Sequence, residues 1–266
     1  MAAPGINDRR PDSGRTGVAE WFENEAFWRE LYPYMFTDER IEAADEHVDK
    51  VLALVGIEVR TVLDLCCGPG RHSIALAKKG HRVTGVDRTP FLLDKAKQRA
   101  GAEDVDVEWV LEDMRRFVRP GAYDLVLNLF TSFGYFDDMQ DDVKVLANIH
   151  QSLKPGGACV IDTVGKELLA ERRQPTTSRE EHDGALFVVR HEIFDGWSRI
   201  RNEWLLIKDG KVSTYTFHHT LYSGQELKDR LVQVGFARAK LYGSLVGEEY
   251  GPGGSRLIAV GWKAGG

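Results

Sequence analysis

Three acidic residues stand where short apolar runs give out: Asp64 inside Val62-Leu-Asp-Leu65, Asp87 after Arg82-Val-Thr-Gly-Val86, and Asp113 in Leu111-Glu-Asp-Met114. Between the first two lies Cys66-Cys-Gly-Pro-Gly70, where Gly68 and Gly70 let the backbone bend tightly and approach a ligand without a Cβ in the way. A carboxylate just past the second run can accept both hydroxyls of a ribose. One past the third can accept an adenine amino hydrogen, with Met114 and Leu92 or Phe91 as apolar walls. The chemistry suggested is nucleoside binding. A single acid reads equally well as a solvated turn residue, whereas three in register after three successive runs do not.

These residues need a sheet edge to bring them together, and the surrounding pattern supplies one. Thr61 to Leu65, Arg82 to Val86, Val107 to Leu111, Tyr123 to Leu129 and Ala158 to Thr163 read as strands, alternating with helices at 71–79, 90–100 and 139–153. Such βαβ alternation implies an α/β fold with a parallel sheet covered on both faces. Lys154-Pro-Gly-Gly157 ends the last helix and turns the chain. Three consecutive strands follow at 186–194, 197–207 and 211–222, joined at Asp195-Gly196 and Asp209-Gly210, and predict a small antiparallel sheet. Ser223-Gly-Gln-Glu226 is a capping box opening a helix that ends at Gly235. Strands at 237–242 and 256–262 then finish the main sheet as an antiparallel pair, giving seven strands. Ahead of the first strand, the aromatics Trp21, Phe22, Phe27, Trp28, Tyr32 and Tyr34 and a helical stretch from Asp38 to Leu54 predict helices packed on the core, or a lid over a ligand.

The division expected is a flexible tail at 1–17, a helical lid at 18–56, a binding domain at 57–164 and 223–266, and an inserted antiparallel β subdomain at 165–222. The 266 residues, 42% hydrophobic, suffice for one sizeable core. A net charge of -6 gives no broad attraction to nucleic acid or anionic lipid. Cys66, Cys67 and Cys159 form neither a disulfide framework nor a paired zinc pattern, so no metal is expected. No signal-peptide segment and no run of 18 apolar residues is present, and the expectation is a cytoplasmic protein, monomer or homodimer, without nucleic-acid or membrane partners.

The segment from Thr61 to Thr163 resembles the class I S-adenosylmethionine-dependent methyltransferases, and the remainder resembles them loosely. The resemblance implies a Rossmann-like doubly wound sheet binding S-adenosyl-L-methionine and releasing S-adenosyl-L-homocysteine. It places Gly68 and Gly70 under the methionyl moiety, Asp87 on the ribose, and Asp113 with Met114 at the adenine. Asp64 anchors the turn and faces the methionyl amino group, and Tyr32 contacts the methionyl carboxylate. Arg88, Asn128 and Leu129 are counted with the cofactor residues, as is Cys66, which stands where the family most often has glycine. An NAD-dependent oxidoreductase shares the glycine turn and acidic clamp, but Arg71-His72-Ser73 departs from G-x-G-x-x-G/A. A non-catalytic adenosylmethionine-binding module also remains open.

The fourth strand runs into Asn128-Leu-Phe-Thr-Ser-Phe-Gly-Tyr-Phe136, at the sheet's carboxyl edge, where a substrate is expected to meet the cofactor. This stretch and the inserted sheet resemble glycine N-methyltransferases and aminosugar N,N-dimethyltransferases, implying a small molecule methylated at an amine nitrogen. Oxygen and carbon are the alternatives. Ser132 and Phe133 are the expected substrate contacts there. Candidate general bases are Tyr135, where the aminosugar enzymes often have histidine, and His219, preferred over His218 because it shares a strand face with Tyr215 and Phe217. Arg199 and Arg201 are expected to offer cations to a carboxylate or phosphate on the substrate.

Overall fold

The computed structural model describes residues 20–172 and 174–266. The expected tail at 1–17 lies outside them, as do the first two residues of the 18–56 segment. A 3-10 turn, Trp21–Glu23, precedes α1 (Glu25–Met35), whose N-cap Asn24 accepts hydrogen bonds from the amides of Ala26 and Phe27. Next comes α2 (Asp38–Val55), which buries Ala44, Val48, Val51 and Val55 at helical spacing and stops at Gly56 in the left-handed region.

The main sheet is built from β1 (Thr61–Leu65), β2 (Arg82–Asp87), β3 (Glu108–Leu111), β4 (Tyr123–Asn128) and β5 (Leu153–Thr163). Its crossovers run through α3 (Arg71–Lys78), α4 (Pro90–Ala102) and α5 (Met139–Ser152). β1 lies between β2 and β4, parallel to both, and every one of its residues is buried. Strands covered on both faces need continuous apolar runs, which is what β1 and β4 carry around Asp64. Each fully buried Leu or Val here stabilises the fold by about 1.5–3 kcal/mol. β5 starts earlier than its apolar stretch predicts. Leu153 already pairs with Tyr123, and a register shift before Leu125 absorbs the Pro-Gly-Gly segment, with Gly156 at φ +76°.

After β5 the chain forms α6 (Lys166–Arg172) and a second sheet of β6 (Thr176–Glu180), β7 (Leu186–Phe194), β8 (Arg199–Lys208) and β9 (Lys211–Thr220), all antiparallel. α6 and the exposed edge strand β6 were not expected. The Asp209-Gly210 turn holds both residues at positive φ, as a two-residue hairpin requires. The connection at Asp195-Gly196 is longer than expected: Phe194 pairs with Arg199, so 195–198 form a four-residue loop with Asp195, Gly196 and Trp197 at positive φ, and β8 starts at Arg199 instead of Trp197. The capping box forms at Ser223 and Glu226, opening α7 (Gly224–Gln233). β10 (Arg238–Tyr242) and β11 (Leu257–Trp262) close the main sheet, in the order β10-β11-β5-β4-β1-β2-β3, with β11 antiparallel to both neighbours. Among the described residues no helix is long and apolar enough to cross a membrane.

Candidate active site

A cavity of about 860 Å³ opens at the carboxyl ends of β1, β2 and β4, floored by the glycine turn and roofed by the inner face of the second sheet. Chain direction dictates the place, since in a doubly wound sheet the loops leaving adjacent strands part company there.

At the end of β1 the chain turns sharply. Cys66 sits at φ 63° and Gly68 at φ +56°. A left-handed non-glycine residue is strained by roughly 1–2 kcal/mol, so Cys66 adopts a conformation that glycine takes without penalty. At Gly68 a Cβ would meet only the Phe36 ring, at 3.6 Å, so that side stays open to the cavity. Gly70 serves another purpose. A Cβ there would lie 2.5 Å from the Trp109 ring and 2.9 Å from Ala96 Cβ, and Gly70 is not on the cavity wall. The expectation that both glycines lie against the ligand is thus corrected: Gly70 lets α3 close on α4 and β3.

Asp64, 2% exposed, accepts a 2.6 Å hydrogen bond from Ser73 Oγ, and burial pushes its carboxyl up to about 6. Asp87 is held by two backbone amides, Gly68 N at 2.9 Å on Oδ2 and Thr89 N at 2.8 Å on Oδ1, and burial raises it too. Neither has a salt-bridge partner among the described residues. Asp113 differs. Arg115 reaches it from the side chain at 2.6 Å and from the backbone at 2.8 Å, and Arg88 lies 3.3 Å away. Arg115 also bonds Glu20 at 2.6 Å, and Arg88 pairs with Glu23. These contacts latch the turn at 20–23 onto the acid after β3.

The residues leaving β4 are strained as well: Phe130 and Thr131 sit at φ 58° and 67°. Asp162 holds them, accepting from Phe130 N at 3.0 Å, while Arg256 bridges Asp162 and Thr131 Oγ1 at 2.6 and 2.7 Å. Phe130 carries the Arg71 guanidinium 3.9 Å from its ring centroid and stacks on His72. Burial brings Arg71 down to about 10, and no carboxylate among the described residues lies within salt-bridge distance of it.

The roof is aromatic. Phe187, Val189 and His191 of β7, Ile200, Asn202 and Trp204 of β8, and Phe217 and His219 of β9 all line the cavity. The Trp21 indole sits 4.5 Å from the Phe217 ring and 4.7 Å from Tyr135, and His219 stacks on Tyr135 at 4.9 Å. Burial pushes the Tyr135 phenol well above its ordinary range, so it keeps its proton at neutral pH.

Of the residues expected at the site, Asp64, Cys66, Gly68, Asp87, Arg88, Asp113 and Met114 line the cavity on one side. Leu129, Ser132, Tyr135 and His219 line it on the other. The structure does not bring six others to the wall. Tyr32 packs on Phe36 and Phe91, and Tyr34, further along α1, faces the cavity in its place. Asn128 is wholly buried, donating to Leu65 O at 3.2 Å, and Phe133 is buried against Tyr222. Arg199 and Arg201 alternate with the inward residues of β8 and so point outward: Arg199 binds Asp137 at 2.6 Å, and Arg201 is half exposed, 3.8 Å from Glu192. Gly70 is the sixth. The sequence reading missed Arg71, His72, His47 and Asn202. The first two follow the glycine turn directly and were legible from that position. Asn202 was legible only from its alternation with Trp204.

A family described as "Methyltransferase domain" matches residues 62–157, the span that supplies Asp64, the glycine turn, Asp87 and Asp113. The chain is 37% identical over 106 residues to a cypemycin N-terminal methyltransferase of a Streptomyces species, covering 40% of this chain and 42% of that protein. A ubiquinone biosynthesis O-methyltransferase of Pseudomonas paraeruginosa is 27% identical over 214 residues, covering 76% of this chain and 85% of that one. The chain spans about half the length of the first curated relatives it matches. The fold is that of a S-adenosylmethionine-dependent methyltransferase from Clostridium acetobutylicum, with a TM-score of 0.73 at 15% identity, covering 91% of this chain and 98% of that one.

Proposed function

We propose that this chain is a methyltransferase that uses S-adenosylmethionine to methylate a small molecule. The observation that carries the reading is the pair Asp64 and Asp87, two buried carboxylates without ion-pair partners among the described residues, on the wall of a large cavity beside the Gly68 turn. Buried charge without a partner is costly, and a cationic ligand relieves it. S-adenosylmethionine fits, since it carries an ammonium, a sulfonium and two ribose hydroxyls. Asp87, with both oxygens fixed by backbone amides and lone pairs to spare, would hold the ribose, and Asp64 the ammonium. Arg71, a cation without a carboxylate partner among the described residues, would take the methionyl carboxylate in place of Tyr32. Leu92 and Met114 would flank the adenine, where Asp113 contributes only what Arg115 and Arg88 leave free.

When bound, S-adenosylmethionine supplies a methyl carbon already activated toward a nucleophile. The protein's task is then alignment and exclusion of water, and alignment alone can lower such a barrier by about 7–11 kcal/mol. The aromatic roof and the Trp21–Glu23 turn, held by Arg88 and Arg115, act as the lid and substrate roof.

An amine nitrogen is the first acceptor class to screen, from the likeness to aminosugar enzymes. A specific observation favours a second reading, methylation of an oxygen-bearing aromatic. The roof contributes aromatic rings and unpartnered ring nitrogens, and the acidic residues on the wall, Glu39, Asp64, Asp87, Glu112 and Asp113, all lie outside the second sheet. Isothermal titration with S-adenosylmethionine, S-adenosylhomocysteine and NAD tests the cofactor, and release of S-adenosylhomocysteine with amines, phenols and carboxylates tests the acceptor. Tight binding of the first two and none of NAD is expected. Binding of NAD alone refutes the proposal.

A further inference from the structure

Three polar residues of the roof form a chain that neither the fold nor the methyltransferase domain requires. His191 of β7 pairs directly with Asn202 of β8, and Asn202 pairs with Phe217 of β9, two residues before His219. Alternation along the strands puts all three on the inner face. His191 Nδ1 lies 2.8 Å from Asn202 Oδ1, and Asn202 Nδ2 lies 3.4 Å from His219 Nδ1. Asn202 is only 5% exposed, so water does not compete for its amide. Its carbonyl is taken by His191, and its NH₂ group faces His219. Nδ1 of His219 must then accept, and a neutral imidazole that accepts at one nitrogen carries its proton on the other. That other atom, His219 Nε2, is buried and has no partner among the described residues. Trp21 Nε1 and Trp204 Nε1, on two more cavity-lining residues, are likewise buried and unpartnered, and an indole nitrogen only donates.

We propose that Asn202, aligned by His191, fixes His219 as its Nε2–H tautomer, so that His219 donates a hydrogen bond to an oxygen of a planar aromatic substrate. Trp21 and Trp204 supply further N–H groups at the same end of the cavity. His219 therefore holds the substrate and does not take a proton from it, in contrast to the base expected from the sequence. Burial, reinforced by His218, Arg199 and His191, pushes its imidazole down to about 3, which keeps it neutral at working pH. The substrate class follows from complementarity. Aromatic walls fit a flat ring, and donors without acceptors fit carbonyl, phenol or phenolate oxygens, whereas an ammonium would find no carboxylate on the roof. His191 and Asn202 are positioning residues. The substrate half of the proposal rests on the methyltransferase reading; the tautomer does not.

The test is ¹⁵N NMR of the full chain with labelled histidine, with the His219 signals assigned by their loss in His219→Gln. A pyrrole-type Nε2 and a pyridine-type Nδ1 at neutral pH are expected, and Asn202→Asp, which can only accept, should invert them. A protonated Nδ1 in the parent protein overturns the proposal whether or not the variant folds. Binding of 1-naphthol and naphthalene, followed by tryptophan fluorescence, checks the substrate class. The parent should prefer 1-naphthol by about tenfold, the worth of one hydrogen bond. His219→Gln, which keeps a donor but cannot act as a base, should retain that preference, and His219→Phe should lose it. Equal binding of the two by the parent overturns the donor role. Neither readout involves S-adenosylmethionine, so both can succeed even if the cofactor titration fails.

Discussion

Exchanging the two glycines of the turn separately should divide stability from ligand binding. In Gly70→Ala the new methyl would lie 2.5 Å from the Trp109 ring and 2.9 Å from Ala96 Cβ, at φ +76°. The left-handed conformation costs roughly 1–2 kcal/mol. Overpacking against a rigid indole adds roughly 1–3 kcal/mol, for a loss of roughly 2–5 kcal/mol in all. At this chain length, 1 kcal/mol moves Tm by about 2–4 °C, so a fall of very roughly 5–20 °C is expected. In Gly68→Ala only the left-handed penalty applies, because the nearest atom, on the Phe36 ring, is 3.6 Å away. That variant should melt within a few degrees of the parent yet lose S-adenosylmethionine affinity, its methyl standing on the cavity side. The assays are thermal unfolding by circular dichroism and isothermal titration. If Gly70→Ala melted like the parent while losing cofactor, the packing argument would be wrong and Gly70 would belong to the ligand after all.

The remaining expectations concern charge. Asp64 has a folded pKa of about 6, above its ordinary value, so the folded state holds its proton more tightly than the unfolded chain. Its contribution to stability is full below about pH 4 and is lost as pH rises through about 6. Without ligand, Asp64→Asn should therefore be the more stable protein at pH 8, by on the order of 2 kcal/mol, with the gain vanishing near pH 4 in paired urea titrations. Affinity of the parent for S-adenosylmethionine should rise across the same window as Asp64 ionises, and a pH-independent affinity would count against its contact with the ammonium. Asp87→Asn replaces one acceptor oxygen by a donor opposite Gly68 N or Thr89 N. Calorimetry should show at least a tenfold loss of cofactor affinity. Arg115→Ala leaves the buried Asp113 with Arg88 at 3.3 Å and Glu20 with the same Arg88 at 3.4 Å. It should destabilise by about 1–3 kcal/mol, and amide exchange should quicken at residues 21–24; unchanged exchange would show that the latch does not hold the turn.

What the sequence determined by itself was whatever depends on neighbours a few positions away. The alternation of apolar runs with helices, the glycine turn after β1, the Asp209-Gly210 hairpin and the Ser223–Glu226 capping box are local in origin, and all appear in the structure where they were expected. Asp64, Asp87 and Asp113 reach the cavity for the same reason: the end of a buried strand points a residue there regardless of detail. Tertiary structure decided the rest. β6 reads Thr-Thr-Ser-Arg-Glu, with no apolar alternation, and is a strand only because the open edge of β7 pairs with it. The phase of α1 against the sheet chose Tyr34 over Tyr32. The choice of which β8 face became the roof sent Arg199 and Arg201 outward and Asn202 inward. Arg115, two positions from the Asp113 it binds, met Glu20 across 95 positions, and Trp21 came between Tyr135 and Phe217 by the same closure of distant segments. Periodicity tells which side chains share a face; which face meets the ligand depends on how the layers pack.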